Sequence, residues 1–492
     1  MLAVFIIDCG EHTILEQMAG EGRLPALGRL IGEGASVPLT SEAHILDGSV
    51  FQTLLTGVNP GQHGIYKYRQ LVPGTYRYEM SRAENSPVPQ IWSSLSRLGL
   101  TSAVMDVPKA FPVEGFRGTL LASWGAYSPA GDPASIPGDL LPRVLDRFGQ
   151  HPRRSHLPLP IPPERYLKVL EELEDAVRTR SAIFREVMAM GPHDFLITAF
   201  SETHVAGHQF WHLRDPGHPM FDAGAADLCG DAMERIYQAC DAEVARMVGA
   251  LPPDSQIVLM TQQGLQNNYS GSHLIPAWLA RRAGRPGSVA DGWRAGTASL
   301  LGSGLRHRLA QALPSSWADR WVSGKYRPDG EVFMLPGSEF MTFLRVNLRG
   351  REPKGTVPPD AYRSVLEGLR GELLDLVNPG TGRPAAAEVI HPPDDFPGEC
   401  QADLPDLVIR WKNDAPVRGL ECPVHGRIER GLSFIQNTHS CHTGEGLAVV
   451  AGPGISRGNV GETHSLQDLT ATLYGLLGAA PPEHLEGSPI PL

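Results

Sequence analysis

The sequence predicts an α/β fold, a mostly parallel central sheet with helices on both faces. Two observations carry this reading. Short apolar runs alternate with longer amphipathic stretches through the first half of the chain. Side chains capable of chemistry recur at or just after the ends of those runs, at Asp8, His204 and Gln262. Open parallel sheets bind ligands beyond the carboxyl ends of their strands, so these three residues are expected to share one site.

Taken in order, Leu2-Ala-Val-Phe-Ile-Ile-Asp8 reads as a buried first strand. It lacks the basic residues and length of a secretory leader and runs straight into Asp8 and Glu11. A helix follows near 24–33, with Pro25 suited to its first turn. Residues 163–190 carry apolar positions at helical spacing among many charges, as an exposed amphipathic helix should. The run Asp194-Phe-Leu-Ile-Thr-Ala-Phe200 is a second buried strand, and it delivers Ser201-Glu-Thr-His-Val-Ala-Gly-His208. The pattern repeats with a helix around 229–249, a strand over 256–260 and the polar turn Thr261-Gln-Gln-Gly264. Residues 265–340 lose this alternation and hold Gly and Pro turns, a basic helical piece from Leu301 to Leu313 and several Trp residues. They are expected to form an inserted cap that sets substrate choice, between catalytic-core segments 1–264 and 341–492.

At 492 residues the chain exceeds what one hydrophobic core usually serves. Hydrophobic content of 41% and charged content of 20% describe an ordinary soluble globular protein. A formal net charge of -11 argues against nucleic acid or an anionic membrane as partner. No apolar run approaches the roughly 18 residues of a membrane span. The expected partner is therefore a small molecule; an anionic one needs metal or Arg charge to offset the field. The six cysteines show no C-x-x-C pairing, which suits reduced thiols in a cytoplasm. Cys9 and Cys441 adjoin expected site residues, where they read as small buried fillers.

The strongest chemical signal is histidine. His204 and His208, four apart on one helical face, together with the distant His442, suit a tridentate zinc site with an open fourth position. His439 competes with His442 for the third place, and His212 continues the stripe as a rim residue. Asp8 either caps the following helix or serves the site, and its strand-end position favours the site. Glu202 is expected to give outer support to a ligating imidazole.

The chain resembles the alkaline phosphatase superfamily, and within it the type I phosphodiesterase/nucleotide pyrophosphatase-like proteins. The likeness rests on pieces in the family's order. These are Asp8, Thr56-Gly-Val-Asn-Pro-Gly-Gln-His-Gly64, Gln209-Phe-Trp211, Asn347-Leu-Arg-Gly-Arg-Glu-Pro353, Pro405-Asp-Leu407, His442-Thr-Gly-Glu-Gly446, Gly452-Pro-Gly-Ile455 and Asp468-Leu-Thr-Ala-Thr472. The resemblance implies an alkaline phosphatase-like sheet, two neighbouring metal ions and cleavage of phosphoesters. This chain departs from it at the metal ligands. The middle Asp has become His204, and the Ser-Asp-His-Gly turn has become Thr261-Gln262-Gln263-Gly264. Asp47 stands in the nucleophile's place, with Ser49 and His44 nearby.

These departures favour one Zn²⁺ on His204, His208 and His442, because amide oxygens are weak ligands for a second zinc. A hard cation at Asp8 and Asp47 is a lesser alternative. Gln262 and Gln263 are expected to orient the reacting group, and Asp47 and Asp8 to handle protons. Losing the nucleophile points to direct hydrolysis by metal-activated water rather than a covalent intermediate. The competing readings are a re-tooled zinc lyase, isomerase or transferase, and a non-catalytic binding protein.

Overall fold

In the computed structural model the described residues are 1–127, 131–157, 159–284, 330–337, 340–429 and 439–492. Their main feature is a sheet of ten strands. The first strand, Leu2–Ile7, lies at its centre, paired in parallel with Phe195–Phe200 on one side and Gln256–Thr261 on the other. Ser102–Met105 and Gly118–Ala122 extend the parallel run beyond Phe195–Phe200. On the other flank, Glu445–Ala451 inserts antiparallel between Gln256–Thr261 and Ala35–Thr40.

Alternation along the first strand shows why both faces must be covered. Ala3, Phe5 and Ile7 enter one apolar cluster with Leu173, Val205 and Val244 from helices Pro163–Met188, Ser201–Phe210 and Ala232–Gly249. Leu2, Val4 and Ile6 enter another with Leu54, Trp92 and Leu469 from helices Val50–Thr56, Ile91–Arg97 and Leu466–Leu476. A strand apolar at every position needs such a two-sided burial. The expected elements are present, including the helix Pro25–Glu33 with its proline in the first turn.

A second lobe is built on the antiparallel sheet of Val332–Leu335, Thr342–Val346, Leu407–Trp411 and Ala386–Ile390. Trp278 on helix Ile275–Arg282 and Val332 pack there with Leu344, Leu369 and Ile409. Arg351 clamps Asp406 through two nitrogens, at 2.8 and 2.5 Å. That pair ties together two of the family-like motifs. Most of the expected cap, including Leu301 to Leu313, lies outside the described residues.

Candidate metal centre

Strand direction brings the site together. Asp8 follows Leu2–Ile7, helix Ser201–Phe210 follows Phe195–Phe200, and Gln262 follows Gln256–Thr261, all at one edge of the sheet. Because Glu445–Ala451 runs the opposite way, the residues before it, His442 included, reach the same edge. That close approach needs Gly446, where a Cβ would fall 2.4 Å from the Thr261 carbonyl oxygen.

His204, His208 and His442 meet as three buried imidazoles. Ring centroids lie 4.9 Å apart for His204 and His208, and His442 lies 5.0 Å from each. Tyr127 stacks on His204 at 3.9 Å. Burial, followed by the neighbouring imidazoles, holds His208 well below the ordinary histidine value. Burial and His204 lower His442 to about 3. Neutral imidazole is the form that binds metal.

Hydrogen bonds select the tautomers. The Ser440 hydroxyl donates to the Gly207 carbonyl at 3.1 Å, so its oxygen accepts from His208 Nδ1–H at 2.9 Å. His204 Nδ1 faces the Asp8 carboxylate at 3.1 Å and carries its proton there. Both Nε2 atoms are then bare, yet they lie only 3.2 Å apart. Two lone pairs repel at that distance unless a cation lies between them. Nitrogens about 2.0–2.1 Å from a tetrahedral zinc are separated by about 3.3 Å. The spacing of these two nitrogens therefore fits two ligands of one ion, with the His442 ring beside them.

A second convergence lies on the opposite side of the His204 ring. Cys9 Sγ is 3.1 Å from His204 Nδ1 and 3.5 Å from His442 Nδ1. Ligand atoms of Cys9, His204 and His442 all fall within 4.8 Å of one another, the one such group among the described residues. A neutral imidazole has a single lone pair, so His204 can serve one side only. The unrelieved pair of Nε2 atoms favours the side shared with His208.

Gln262 and Gln263 turn inward. Gln262 Nε2–H donates to Asp8 Oδ1 at 2.6 Å, and Gln263 Nε2–H donates to Cys9 Sγ at 2.7 Å. The amide oxygen of each is buried without a hydrogen-bond partner among the described residues. Asp47 pairs with Lys67 Nζ at 2.5 Å, both almost fully buried. The Ser49 hydroxyl lies 2.6 Å from both the Glu42 carboxyl and the Leu46 carbonyl, turned away from any nucleophilic role. Glu11, not Asp8, caps the helix His12–Gly20.

Sequence reasoning missed Cys9, Lys67, Lys109 and Tyr127 at this edge, and only Cys9 carried a signal, its adjacency to Asp8. It also misjudged two neighbours. His212 is buried, with its ring 4.5 Å from that of His439 and apart from the triad. Glu202 binds Arg180 and His151, so it anchors the helix rather than a ligand. A cleft of about 690 Å³ runs from His442 and Phe340 to Arg410, Trp411 and Lys412.

A family model for type I phosphodiesterase / nucleotide pyrophosphatase matches residues 2–417. The chain belongs to that family. Its members are metal-dependent phosphoester hydrolases of the alkaline phosphatase superfamily. No curated protein sequence matches it. Among solved structures, it is similar to phosphonoacetate hydrolase from Sinorhizobium meliloti 1021 in complex with phosphonoacetate, at 13% identity and a TM-score of 0.52 over 98% of this chain and 96% of that one. Wild-type alkaline phosphatase PafA aligns at 12% identity and a TM-score of 0.50, covering 99% and 98%. These likenesses establish the alkaline phosphatase-like fold. Among the described residues, no helix of this phosphodiesterase-family chain is long and apolar enough to cross a membrane.

Proposed function

We propose that this chain is a mononuclear zinc hydrolase acting on a small anionic phosphoester or related ester. The observation that carries the reading is the pair of bare Nε2 atoms at 3.2 Å, with the ring of His442 5.0 Å from that of His208. His204, His208 and His442 would hold the ion. Bound there, zinc would supply a Lewis acid able to lower the pKa of water.

The remaining chemistry belongs to the chain. Asp8 and Ser440 fix the tautomers of His204 and His208. Lys67 pairs with Asp47, and Lys109 lies close to both, so two ammonium groups stand near the position of an anionic group. Asp47 stands where relatives keep a nucleophile; paired with an ammonium, it orients the attacking water and takes its proton. The buried oxygens of Gln262 and Gln263 accept hydrogen bonds from substrate or water. The second-metal position is blunted because Gln262 already engages Asp8. The cleft beyond His442 gives the leaving group room, with segment 265–340 choosing among esters. All six cysteines are free thiols, which supports a cytoplasmic setting.

Metal analysis of protein purified without chelator, run beside hydrolysis of p-nitrophenyl phosphate, phosphonate and phosphodiester probes, tests this reading. One zinc per chain is expected, with both zinc and turnover lost in His208→Ala. Two ions per chain, or none, would overturn it.

A further inference from the structure

We propose that Cys9 is a positioning residue of the metal centre, its sulfur the shared acceptor that orients His204 and His442. The inference rests on the ion lying on the Nε2 side of those rings. Three nitrogens converge on Cys9 Sγ: Gln263 Nε2 at 2.7 Å, His204 Nδ1 at 3.1 Å and His442 Nδ1 at 3.5 Å. Each imidazole that gives its Nδ1–H to the sulfur is left with its lone pair on Nε2. Cys9 thus does for His442 what Ser440 does for His208, and it shares the His204 proton with Asp8.

The backbone supports the assignment. Cys9 has φ 56, in the left-handed region that a side chain with a Cβ avoids. Such a conformation persists only where the surroundings over-determine it, and these contacts cluster at functional sites. Here the holding groups are two of the three expected zinc ligands and an amide from the turn after Gln256–Thr261. The sulfur is fully buried, so solvent does not compete for it. Direct ligation by Cys9 is the rival arrangement. It would draw the ion to the Nδ1 side of His204 and leave His208 outside the centre.

Zinc- and cobalt-loaded full-length wild type, Cys9→Ser, Cys9→Ala and Cys9→Gly proteins separate the outcomes. Outer-shell partners of metal-binding histidines typically change metal affinity by about 10–100-fold. Chelator competition should show a loss of that size in Cys9→Ala and Cys9→Gly, with Cys9→Ser recovering most of it through its hydroxyl acceptor. Glycine relieves the left-handed strain, so Cys9→Gly should fold at least as well as wild type while binding zinc more weakly. The cobalt spectrum should shift in Cys9→Ala and carry no sulfur-to-cobalt charge-transfer band in any form. A charge-transfer band in wild type that vanishes in Cys9→Ser would overturn the proposal and make Cys9 a ligand. Unchanged affinity and spectrum in Cys9→Ala would overturn it too. Wild type that binds no metal would remove the mononuclear reading together with this one.

Discussion

Lys67 and Lys109 lie near each other and near Asp47. Lys67 has Asp47 as its partner, whereas Lys109 donates to the hydroxyl of Ser81 at 3.2 Å. Burial, then repulsion from Lys67, lowers Lys109 to about 8. A lysine with a depressed value is charged below it and neutral above. Affinity for a doubly anionic substrate should therefore fall as pH rises through about 8, while a singly charged analogue changes less. Lys109→Arg should flatten that profile, read as KM against pH; a wild-type profile flat through this range would exclude the role. Asp8 and Gln262 were legible because each directly follows a strand, and His204 because it lies one turn into the helix after one; strand ends can be read from apolar runs. Lys67 and Tyr127 were not, since their approach depends on how irregular loops fold back over the edge. Cys9 was visible but weighed as filler, because only the coordinates show three nitrogens aimed at its sulfur.

Two elements hold the proposed ligands in register. Helix Ser201–Phe210 is tied to the first strand by Thr203, whose hydroxyl donates to the Asp8 carbonyl at 2.5 Å. Strand Glu445–Ala451 lies tight against Gln256–Thr261 at Gly446. Gly446→Ala would force those strands apart, since the neighbouring atom is backbone and cannot swing aside. Overpacking of this kind costs about 1–3 kcal/mol. It should appear as a lower urea midpoint accompanied by weaker zinc binding, because His442 and Gln262 sit on the two displaced segments. Loss of stability with zinc affinity intact would show that the loops absorb the shift. The His-x-x-x-Gly spacing from His442 to Gly446 was readable in the sequence, and the close strand approach is its physical reason.

Across the molecule, a buried ionic network underlies the sheet edge. Arg180 lies between Asp106 and Glu202, and His151 also bonds Glu202, at 3.0 Å. Burial alone would raise Glu202, but Arg180 and His151 outweigh it and hold the carboxyl at about 2. An unfolded glutamate titrates near 4.3. The network therefore stabilises the fold above about pH 4.3, and its contribution drains as pH falls toward about 2. Arg180→Met leaves two buried carboxylates uncompensated and should lose about 3–5 kcal/mol in denaturant unfolding at neutral pH. A loss below 1 kcal/mol would mean water already reaches the network. The parallel sheet was legible from alternation and strand-end chemistry. The second lobe was not, because its short antiparallel strands come from separated segments with no common period.

Cys9 and His442 touch across 433 residues of chain. The proposed centre thus stays incomplete until the antiparallel strand has slotted in beside Gln256–Thr261, which would make capture of an ion a late event in folding. Whatever binds only the finished fold also protects it, by about 4 kcal/mol at a thousandfold excess over Kd. A chain matured without its ion would be more than idle: it would unravel sooner, and a chelator should lower its melting temperature as surely as it abolishes turnover.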